Sequence, residues 1–462
     1  MAKKATVIIL NYNGAKVITA AIDSVLASQT KYPFELIVVD NASTDTSPKL
    51  LRRLAKKHHF KTIFSPDNLG FAGGNNLGIK QSESEYVVLL NNDCVVDKHW
   101  LDELIACADR HPQAFSVASK ICLYPHYFPV TWGIDPQVKV EQIQVVTSAL
   151  NRFQPTGHQV SVPFMQDNVE AKLHFELPFD SQEDQQLMLA VTVGVPVDNQ
   201  GNPLIAAWES IFSPENKKSV QQPQLISQQP GRGGRLQLTY QVTVNISQAA
   251  KKSAYRLLQN AGTLVFPNGY GRDIGASVYD SKQFYERDEG QFARERAVYA
   301  TCGAAVLYRR ELLTRFGNLD DSFFMYYEDM ALAEQAVING FSNYYCPTAT
   351  VLHLHALSSG EGSPFFTFHS EKGRLLHLYY NYPSRVFAQQ LAIFIFKSFL
   401  KLARGIIRPH RWTVDSQHLK IVGDFIIHAA KHFRHKRERY HYPEGKVEAN
   451  YQQIIQGKWY FN

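Results

Sequence analysis

Acidic and amide side chains follow two apolar segments of this 462-residue sequence. In VVDNASTD, Asp40, Asn41 and Asp45 come directly after apolar residues that favour strands, and in LLNNDC the same change occurs at Asp93. Polar groups at the end of a buried strand are costly unless they meet a polar partner. The two segments therefore indicate a site that binds a polar ligand.

A second group of reactive side chains lies in the last third of the sequence. Glu328 and Asp329 open a predicted helix in FFMYYEDM, where acidic residues also suit the helix dipole without any further role. His353 and His355 alternate with apolar residues in ATVLHLHALSSG, and a lone strand histidine is usually structural. Small residues open the preceding predicted strand, in TCGAAVLYRR, and permit close approach of a ligand or of backbone.

The first 123 residues supply elements that could position the acidic groups. Apolar strand-like segments at 6–13, 34–41, 60–65, 86–93 and 114–124 alternate with helical periodicities at 17–25, 47–58 and 97–111. Ser47 is predicted as the N-cap of the second helix, with Pro48 at the first helical position. This alternation predicts a parallel sheet covered on both faces. Ligands bind such sheets at the carboxyl ends of the strands, where Asp40 and Asp93 fall.

Residues 124–257 lose this rhythm. They contain runs such as LQLTYQVTVNIS between turn sequences such as QQPGRGG, which predicts an inserted antiparallel β domain, a sandwich or a barrel. Sequence of the same type as residues 1–123 returns after residue 257. Residues 1–123 and 258–383 together have the size of one domain. Trp132 and Trp208 of the insertion could stack on sugars, although aromatic residues in a β domain more often belong to its core.

The composition is that of a globular protein, with 45% apolar and 12% aromatic residues. Five cysteines without pair or metal spacing indicate reduced thiols in a cytosolic setting. The apolar run near the N-terminus is too short for a signal peptide, and no segment offers the roughly 20 uncharged apolar residues of a membrane span. The net charge of +6 is concentrated in residues 385–462, so a nucleic-acid partner is not expected.

The basic tail, residues 384–462, has a pattern of its own. Four cations form one stripe along an otherwise apolar helix: Lys397, Lys401, Arg404 and Arg408. A second amphipathic pattern at 418–439 ends in a basic cluster, and Trp412 in the connection could anchor at an interface. Such helices suit a membrane interface, so residues 386–439 are predicted to contact a membrane surface. The alternative is an ordinary helical hairpin that packs on the α/β domain.

The order of the short motifs is more specific than any one of them. LNYNG, VVDNASTD, DNLGFAGGNNLG, LLNNDC, CGAAVLYRR, FFMYYED and HLHALSSG follow one another along the sequence. As a set they closely resemble family 2 glycosyltransferases of the GT-A fold, in particular the rhamnosyltransferase-like branch. The resemblance covers the two α/β stretches and not the β insertion. It implies an α/β, GT-A nucleotide-diphospho-sugar transferase fold with an inserted antiparallel β domain and C-terminal amphipathic helices.

The resemblance implies a binding site for a nucleotide-diphosphate sugar. Asp40 would hydrogen-bond the base or the ribose. The other residues implied in donor binding are Asn11, Asn13, Asn68, Gly70, Gly74, Asn75, Asn91 and Asn92. Those of DNLGFAGGNNLG would form a glycine-rich loop that leads into a helix and shapes the nucleotide pocket. Simple turn chemistry is the favoured alternative for Gly78.

The same resemblance makes Asp93 a ligand of Mg²⁺ or Mn²⁺, a hard cation that would offset the charge of the diphosphate leaving group. His353 aligns with the histidine that completes the metal site in many relatives, and His355 is its rival. Asp329 matches the general base that deprotonates the acceptor hydroxyl in an inverting reaction, and Glu328 would orient the acceptor.

Weaker expectations concern contacts with the acceptor or with phosphate. The residues implied are Tyr326, Tyr327, His355, Lys372 and Arg374. The two cations belong to EKGRLLHLYYNYP, which resembles a basic helix of the family with glycine in place of an asparagine. A solvated helix face is the alternative explanation for them.

The helix that follows the acidic pair departs from the family pattern. Ala331 and Gln335 replace a carboxylate and an arginine, so an ion pair on the helix face has been lost jointly. The loss is compatible with a neutral structural exchange. It is also the basis of the opposing hypothesis, a non-catalytic glycan-binding or scaffolding protein on a decayed transferase fold.

The main prediction is an inverting, metal-dependent glycosyltransferase of cell-surface polysaccharide synthesis. It would move a sugar, in this branch rhamnose, from a nucleotide-diphosphate donor to a glycan or polyprenyl-linked acceptor. Its expected location is cytoplasmic and peripheral, on the inner face of the cell membrane.

Overall fold

The computed structural model describes residues 3–124, 126–147, 160–162, 164–179, 186–205, 208–211, 220–231, 233–245, 254–279, 282–353, 363–407, 416–443 and 445–459. These residues belong to two compact units. The α/β unit takes them from Met1–Cys122, Leu258–Glu286 and Gly290–Asn462, and the β unit from Leu123–Leu257 and Arg287–Glu289.

The N-terminal part of the α/β unit alternates strands with helices, as its periodicity predicts. Its elements are β1 (Ala5–Asn11), α1 (Ile18–Leu26), β2 (Phe34–Asp40), α2 (Ser47–His58), β3 (Lys61–Phe64), α3 (Gly70–Ile79), β4 (Tyr86–Asn91), β5 (Cys94–Val96), α4 (Trp100–Arg110) and β6 (Ala114–Leu123). Val7 and Ile9 of β1 pack into one apolar core with α1 and α4, whereas Ile8 packs into a second core with α3. Layers of side chains therefore cover both faces of the sheet.

Helix α2 begins one residue earlier than predicted. Ser47 is its first residue and not its N-cap, and Thr46 before it makes no side-chain cap. The carboxylate of Asp45 accepts the Ser47 N–H at 2.9 Å and the Ala15 N–H at 3.0 Å. Asp45 thus satisfies an N–H group of the first helical turn and ties two loops together.

The β unit contains β7 (His126–Gly133), β8 (Lys139–Thr147), β9 (Val160–Ser161), β10 (Phe164–Asp167), β11 (Lys172–Phe179), β12 (Gln186–Pro196), α5 (Trp208–Ile211), β13 (Val220–Pro230) and β14 (Arg235–Asn245). Its strands form two antiparallel sheets, ordered β10-β11-β7 and β13-β14-β12-β8-β9. Alternate residues of β14 are buried, because one face of its sheet meets the core. The predicted inserted antiparallel β domain is confirmed.

Trp132 and Trp208 belong to the core of the β unit. Their ring centroids lie 5.9 Å apart, and side chains of both sheets surround them. They are 1% and 4% exposed, so they offer no face on which a sugar could stack. Both tryptophans are therefore core residues, which was the alternative to sugar stacking.

The chain then returns to the α/β unit with β15 (Leu257–Asn260), β16 (Thr263–Val265), β17 (Gly271–Asp273), β18 (Ala276–Tyr279), β19 (Lys282–Arg287), β20 (Arg296–Val298), β21 (Ala305–Arg309), α6 (Arg310–Arg315), α7 (Glu328–Ile338) and β22 (Ser342–His353). Among the described residues the central sheet has twelve strands, and its main path is β18-β19-β15-β6-β21-β4-β1-β2-β3. Strand β22 pairs with β5, which places His353 opposite Cys94.

The central sheet is mixed, but the strands β1, β2, β3, β4 and β6 of the first 123 residues run in one direction within it, as predicted. Strands β1 to β4 are parallel, but β21 lies between β4 and β6 and is antiparallel to both. The strand that fills this position arrives after the β insertion. Its direction depends on the path of the returning chain, which leaves no trace in local periodicity.

The C-terminal helices are α8 (Pro364–Asn381), α9 (Ser384–Ile407), α10 (Gln417–Ile427), α11 (Ala429–Arg439) and α12 (Lys446–Ile455). One face of this group packs on the α/β core, since Ile421, Phe425 and Ile454 share an apolar cluster with Met330 and Ala331 of α7. The opposite face leaves large apolar side chains at the surface. The predicted amphipathic helices are therefore confirmed. Because one of their faces packs on the α/β core, the packing expected from the alternative interpretation is present as well.

Candidate active site

Asp40 lies at the carboxyl end of β2, beside Asn11 at the end of β1. Asn11 Nδ2 donates to Asp40 Oδ1 at 3.0 Å, and Asn92 Nδ2 donates to Asn11 Oδ1 at 3.0 Å. Asp40 also accepts the Ser43 N–H at 3.1 Å. These hydrogen bonds hold three residues predicted to bind the donor side by side, at the edge where parallel strands present ligand sites.

Asn13 joins the loops that follow β1 and β2. Its φ of 51° lies in the left-handed region that asparagine tolerates. Its side-chain carbonyl accepts the Thr44 N–H at 2.7 Å, and its own N–H donates to Ser43 Oγ at 2.9 Å. Asn13 therefore shapes the rim of the candidate site through the protein backbone.

The glycine-rich motif is mostly helix, although a loop was predicted. Helix α3 begins at Gly70, so that Gly74 and Asn75 are helical. A Cβ on Gly74 would lie 2.5 Å from Leu10, and a Cβ on Gly78 would lie 2.7 Å from Ile8. Both contacts are too short for any larger residue, so these glycines bring α3 close to β1. Close packing also replaces turn chemistry as the explanation for Gly78.

Asn68 fixes the start of α3 next to the strand that ends at Asp40. Its Oδ1 accepts both Asn41 Nδ2 and the Gly70 N–H at 2.9 Å. Asn41 Oδ1 in turn accepts the Leu69 N–H at 2.9 Å. The two asparagines thus replace helix capping by a side-chain network, and they position the N-terminus of α3 at the carboxyl edge of the sheet.

Asp93 and His353 meet although 260 positions separate them in the sequence. Asp93 Oδ1 lies 3.1 Å from His353 Nε2, and both side chains are buried. On the other side of the ring, His353 Nδ1 lies 2.7 Å from Gln259 Oε1. If the ring is neutral, Nδ1 donates to Gln259 and the lone pair of Nε2 points towards Asp93.

Gln259 of β15 is a residue of this site that the sequence analysis missed. It is buried, and it is the penultimate residue of β15, the first strand after the β insertion. Its place in the LLQN segment carries no motif, and its partner His353 is 94 positions away. Only a strand order for the completed sheet could have pointed to it.

Asp93 and His353 fit the predicted divalent cation. With Cys94 they form a cluster whose ligand atoms all lie within 4.8 Å of one another. Burial raises the pKa of the Cys94 thiol, which donates to the Ala304 carbonyl at 3.7 Å. A protonated thiol is a poor ligand, whereas a carboxylate oxygen and a neutral imidazole nitrogen suit Mn²⁺ and Mg²⁺ sites.

Asp329 stands in the first turn of α7 with both carboxylate oxygens bonded to the backbone. Oδ2 accepts the Gly303 N–H and Oδ1 accepts the Met330 N–H, each at 2.7 Å. Burial raises the pKa of Asp329, and it raises the pKa of the adjacent Glu328 further. Glu328 is 4% exposed, whereas Asp329 remains partly accessible. Of the two, Asp329 is therefore the side chain that an acceptor could reach.

The small residues of TCGAA connect Asp329 to the NND segment. A Cβ on Gly303 would lie 3.2 Å from Asp329 Oδ2, which explains the requirement for a small residue. The carbonyl of the next residue, Ala304, accepts the Asn91 N–H at 2.9 Å. Through two consecutive residues the backbone thus brings the predicted base and the predicted metal-binding segment to one place.

Backbone strain is concentrated directly before Glu328. Phe324, Tyr326 and Tyr327 have φ values of 64°, 68° and 72°. Such conformations cost on the order of 1–3 kcal/mol each and persist only where the surrounding structure holds them. The Phe324 carbonyl accepts the Phe71 N–H at 2.6 Å, so contact with α3 supplies part of this support. The strained loop thus links the glycine motif to the predicted base.

Lys372 and Arg374 each form an ion pair with a carboxylate of the C-terminal helices. Lys372 pairs with Asp424 at 2.9 Å, and the buried guanidinium of Arg374 pairs with Glu371 at 3.0 Å. These contacts favour a structural role for both cations in the packing of α8. His355 lies outside the described residues.

The departures from the family pattern have structural explanations. Ala331 is fully buried, where a carboxylate would meet apolar neighbours. Gln335 is also buried and donates to the Arg439 carbonyl at 3.3 Å, a contact to the C-terminal helices. A Cβ on Gly373 would lie 2.7 Å from the Tyr326 carbonyl, so only glycine lets α8 pass the strained loop. The neutral structural exchange is the interpretation that this packing favours.

Residues 6–159 match the protein family described as Glycosyl transferase family 2. The matched segment includes the strands that end at Asp40 and Asn91 and the adjacent Asp93. This segment of the chain is therefore similar to family 2 glycosyltransferases. The match agrees with the predicted enzyme class, a glycosyltransferase, and together with the mixed sheet described above it confirms the predicted GT-A type of α/β fold.

Curated relatives share this segment. The chain is 34% identical over 111 residues to the poly(ribitol-phosphate) β-N-acetylglucosaminyltransferase TarS of Staphylococcus aureus, which covers 23% of this chain and 19% of the relative. It is 32% identical over 101 residues to the cholesterol galactosyltransferase of Borreliella burgdorferi, which covers 22% and 28% of the two chains. The chain thus spans about a fifth to a third of the length of the curated relatives it matches. The solved structure of GalNAc-T7 with UDP, GalNAc and Mn²⁺ aligns with a TM-score of 0.46 and 10% identity, over 93% of this chain and 58% of that one.

Proposed function

We propose that the protein is an inverting, metal-dependent glycosyltransferase, with its catalytic domain in residues 1–123 and 258–383. It transfers a sugar from a nucleotide-diphosphate donor to a hydroxyl group of a glycan or polyprenyl-linked acceptor. The observation that carries this proposal is the approach of Asp93 Oδ1 to His353 Nε2 at 3.1 Å, with the far side of the imidazole held by Gln259. The motif resemblance makes rhamnose the first donor sugar to test.

The donor nucleotide lies along the edge formed by β1, β2 and the start of α3. Asp40 hydrogen-bonds the base or ribose, and its partner Asn11 holds the carboxylate in place. Asn91 and Asn92 continue this polar edge towards Asp93. The side chains are already joined by hydrogen bonds, so little conformational entropy is lost when the nucleotide binds.

Asp93 and His353 hold the divalent cation, and Gln259 keeps the imidazole in the tautomer that presents Nε2. When bound, Mg²⁺ or Mn²⁺ offsets the negative charge of the diphosphate leaving group. The protein itself supplies the fixed carboxylate and imidazole, so the charge-stabilising arrangement needs little rearrangement during the reaction.

Asp329 is the general base. The acceptor hydroxyl attacks the anomeric carbon of the donor, its proton passes to Asp329, and the bond from the anomeric carbon to the diphosphate oxygen breaks. Attack from the side opposite the leaving group inverts the anomeric configuration. Burial raises the pKa of both carboxyls and that of Glu328 further, so Asp329 is the member of the pair that ionises more readily.

We also propose that the C-terminal helices hold the protein at the inner face of the cell membrane, through residues 386–439. Six apolar side chains of α9, α10 and α11 are more than half exposed: Phe396, Phe399, Leu400, Ile426, Ile427 and Phe433. By length and composition alone, α9 could also cross a membrane over Ser384–Ala403. Lys397 and Lys401 interrupt that segment, which suits a helix lying in the interface. Arg408 and Trp412 lie outside the described residues.

Flotation with anionic lipid vesicles tests the membrane proposal. The wild-type chain should float with the vesicles, and the double variant Phe396→Ser/Phe399→Ser should remain in solution. Ile455→Ser changes an exposed apolar residue of α12 and serves as the matched control. A wild-type chain that stays in solution at low salt contradicts the proposal.

A thermal-shift panel of UDP-, dTDP- and GDP-sugars, with and without Mn²⁺, tests the catalytic proposal. A donor at about 100 times its dissociation constant adds about 2.7 kcal/mol of stability, which is a shift of several degrees. One nucleotide class should stabilise the wild type only with metal, and Asp93→Asn should lose the effect. Asp23→Asn, at an exposed position of α1, is the control. Equal shifts in Asp93→Asn and wild type would overturn the metal assignment.

A further inference from the structure

A second cluster of potential ligands lies away from the candidate active site. It consists of Cys107 on α4, Cys346 on β22 and Glu295 just before β20. The two sulfur atoms and a carboxylate oxygen all lie within 4.8 Å of one another. Both thiols are fully buried, and the Glu295 side chain is 24% exposed. Three chain segments that are far apart in the sequence thus converge on one point.

We infer that Cys107, Cys346 and Glu295 form a binding site for a thiophilic divalent cation, with Zn²⁺ the expected ion. Zinc–thiolate bonds are about 2.3 Å long, so two sulfur ligands of a tetrahedral site lie about 3.8 Å apart. The observed cluster is within the range that small side-chain rotations can close. Two thiolates select a thiophilic cation over Mg²⁺ or Mn²⁺.

The charges around the cluster balance once such a cation is present. Two thiolates and one carboxylate carry three negative charges. A divalent cation neutralises two of these charges, so one negative charge remains. Arg110 Nη2 lies 2.5 Å from Glu295 Oε2, so its guanidinium neutralises the remainder. His111 Nε2 lies 2.5 Å from the other oxygen of the same carboxylate. Arg110 and His111 thus orient Glu295 as outer partners of the site.

Polar groups lie next to the sulfur of Cys346. Its Sγ lies 3.6 Å from the Glu103 carbonyl oxygen and 3.5 Å from Thr348 Oγ1. The Thr348 hydroxyl can donate a hydrogen bond to the thiolate that a cation binds.

This site is distinct from the one at Asp93. Cys346 and His353 lie on the same strand, and seven residues at about 3.3 Å each place them about 23 Å apart. The inference therefore does not rest on the proposed glycosyl transfer. A cation at this point would join α4 to the strand that carries His353, as a structural crosslink.

Cobalt substitution tests the site, because thiolate-bound Co²⁺ has an intense charge-transfer band in the near ultraviolet. The full-length chain is purified from cobalt-supplemented medium and dialysed against a chelator. The wild type should keep one Co²⁺ per chain with this band, and Cys346→Ser and Cys107→Ser should lose it. Glu295→Gln keeps the side-chain volume and should weaken retention at least tenfold.

Two controls separate the site from other thiols and from the first metal site. Cys122→Ser changes a buried thiol outside the cluster, and Asp93→Asn removes the other predicted ligand. Both should keep the band. A wild type without the band overturns the inference, as does a band of equal strength in Cys346→Ser. A Cys107–Cys346 disulfide found by mass spectrometry in the chain as purified would also overturn it.

Discussion

Two regions of the α/β unit bury carboxylates among polar partners, with opposite consequences. At the carboxyl edge of the sheet, Asp93 follows β4 and Asp329 lies in the first turn of α7, and Asp329 remains partly accessible. The second region, the Glu334 cluster, lies in the interior between α7 and the C-terminal helices. Its members are Glu334, Tyr299, His377 and Asn450.

The Glu334 cluster is satisfied from within the protein. Glu334 Oε1 accepts from the Tyr299 hydroxyl at 2.5 Å and from Asn450 Nδ2 at 2.8 Å, and His377 Nε2 contacts Oε2. All four side chains are buried, and Glu334 and His377 are fully enclosed. A carboxylate with both oxygens bonded in this way has no face for a ligand, so the cluster fastens α7 to α8 and α12.

The carboxyl edge differs in its backbone as well as in its exposure. Three residues with positive φ precede Asp329, whereas Glu334, His377 and Asn450 belong to regular helices. Strain next to a partly accessible acid is a cost that packing alone does not explain. A buried acid with polar partners therefore does not by itself identify a site. Partial exposure at the end of an element, together with strain, separates the two regions.

The largest expected effect is on catalysis at Asp329. Asp329→Asn should lower kcat about 100- to 10,000-fold, because the acceptor hydroxyl loses its general base. The substitution keeps the shape of the side chain and one of its acceptor oxygens, so metal-dependent donor binding should persist. Steady-state kinetics and thermal shift with the donor measure the two properties separately. Unchanged turnover would show that a residue other than Asp329 is the general base.

The stability of this variant should depend on pH in a defined direction. Burial raises the pKa of Asp329 in the folded state, so the folded chain holds this proton more tightly than the unfolded chain does. The wild type therefore loses stability as pH rises from the unfolded pKa of about 3.9 to the folded pKa, and Asp329→Asn escapes this loss. Urea unfolding at several pH values should show that the free energy of unfolding of the variant, relative to that of the wild type, increases from acid to neutral pH.

The next effect is on stability at the Glu334 cluster. Glu334→Ala should lower the free energy of unfolding by about 3–5 kcal/mol, because it leaves buried polar partners without their acceptor. Turnover per folded molecule should change little. Glu334→Gln retains an acceptor for Tyr299 and Asn450 and should cost less. If Glu334→Ala abolishes turnover while stability is unchanged, the distinction between the two regions fails.

Local sequence patterns predicted most helices and strands and where they end. Helical and strand periodicity, for example, placed Asp40 and Asp93 at the ends of strands. Local patterns could not predict the direction of β21, because that direction depends on where the chain re-enters the sheet. The same applies to Gln259, which acquires its role only when β15 and β22 come together. Lys372 was expected near phosphate because the basic motif does not show that Asp424 lies opposite. The direction of β21 and the partners of Gln259 and Lys372 thus all depend on contacts between distant segments.

The smallest of these effects concerns Gln259, and it tests whether the carboxyl edge extends to a residue without a motif. Gln259→Leu removes the acceptor of His353 Nδ1–H, so the imidazole is no longer held in one tautomer. Loss of such an outer partner typically weakens metal affinity about 10- to 100-fold. Mn²⁺ titration in the presence of donor measures this affinity. Gln259→Glu restores an acceptor and should recover most of it. If both variants bind Mn²⁺ like the wild type, Gln259 is only a packing residue, and the carboxyl edge ends at His353.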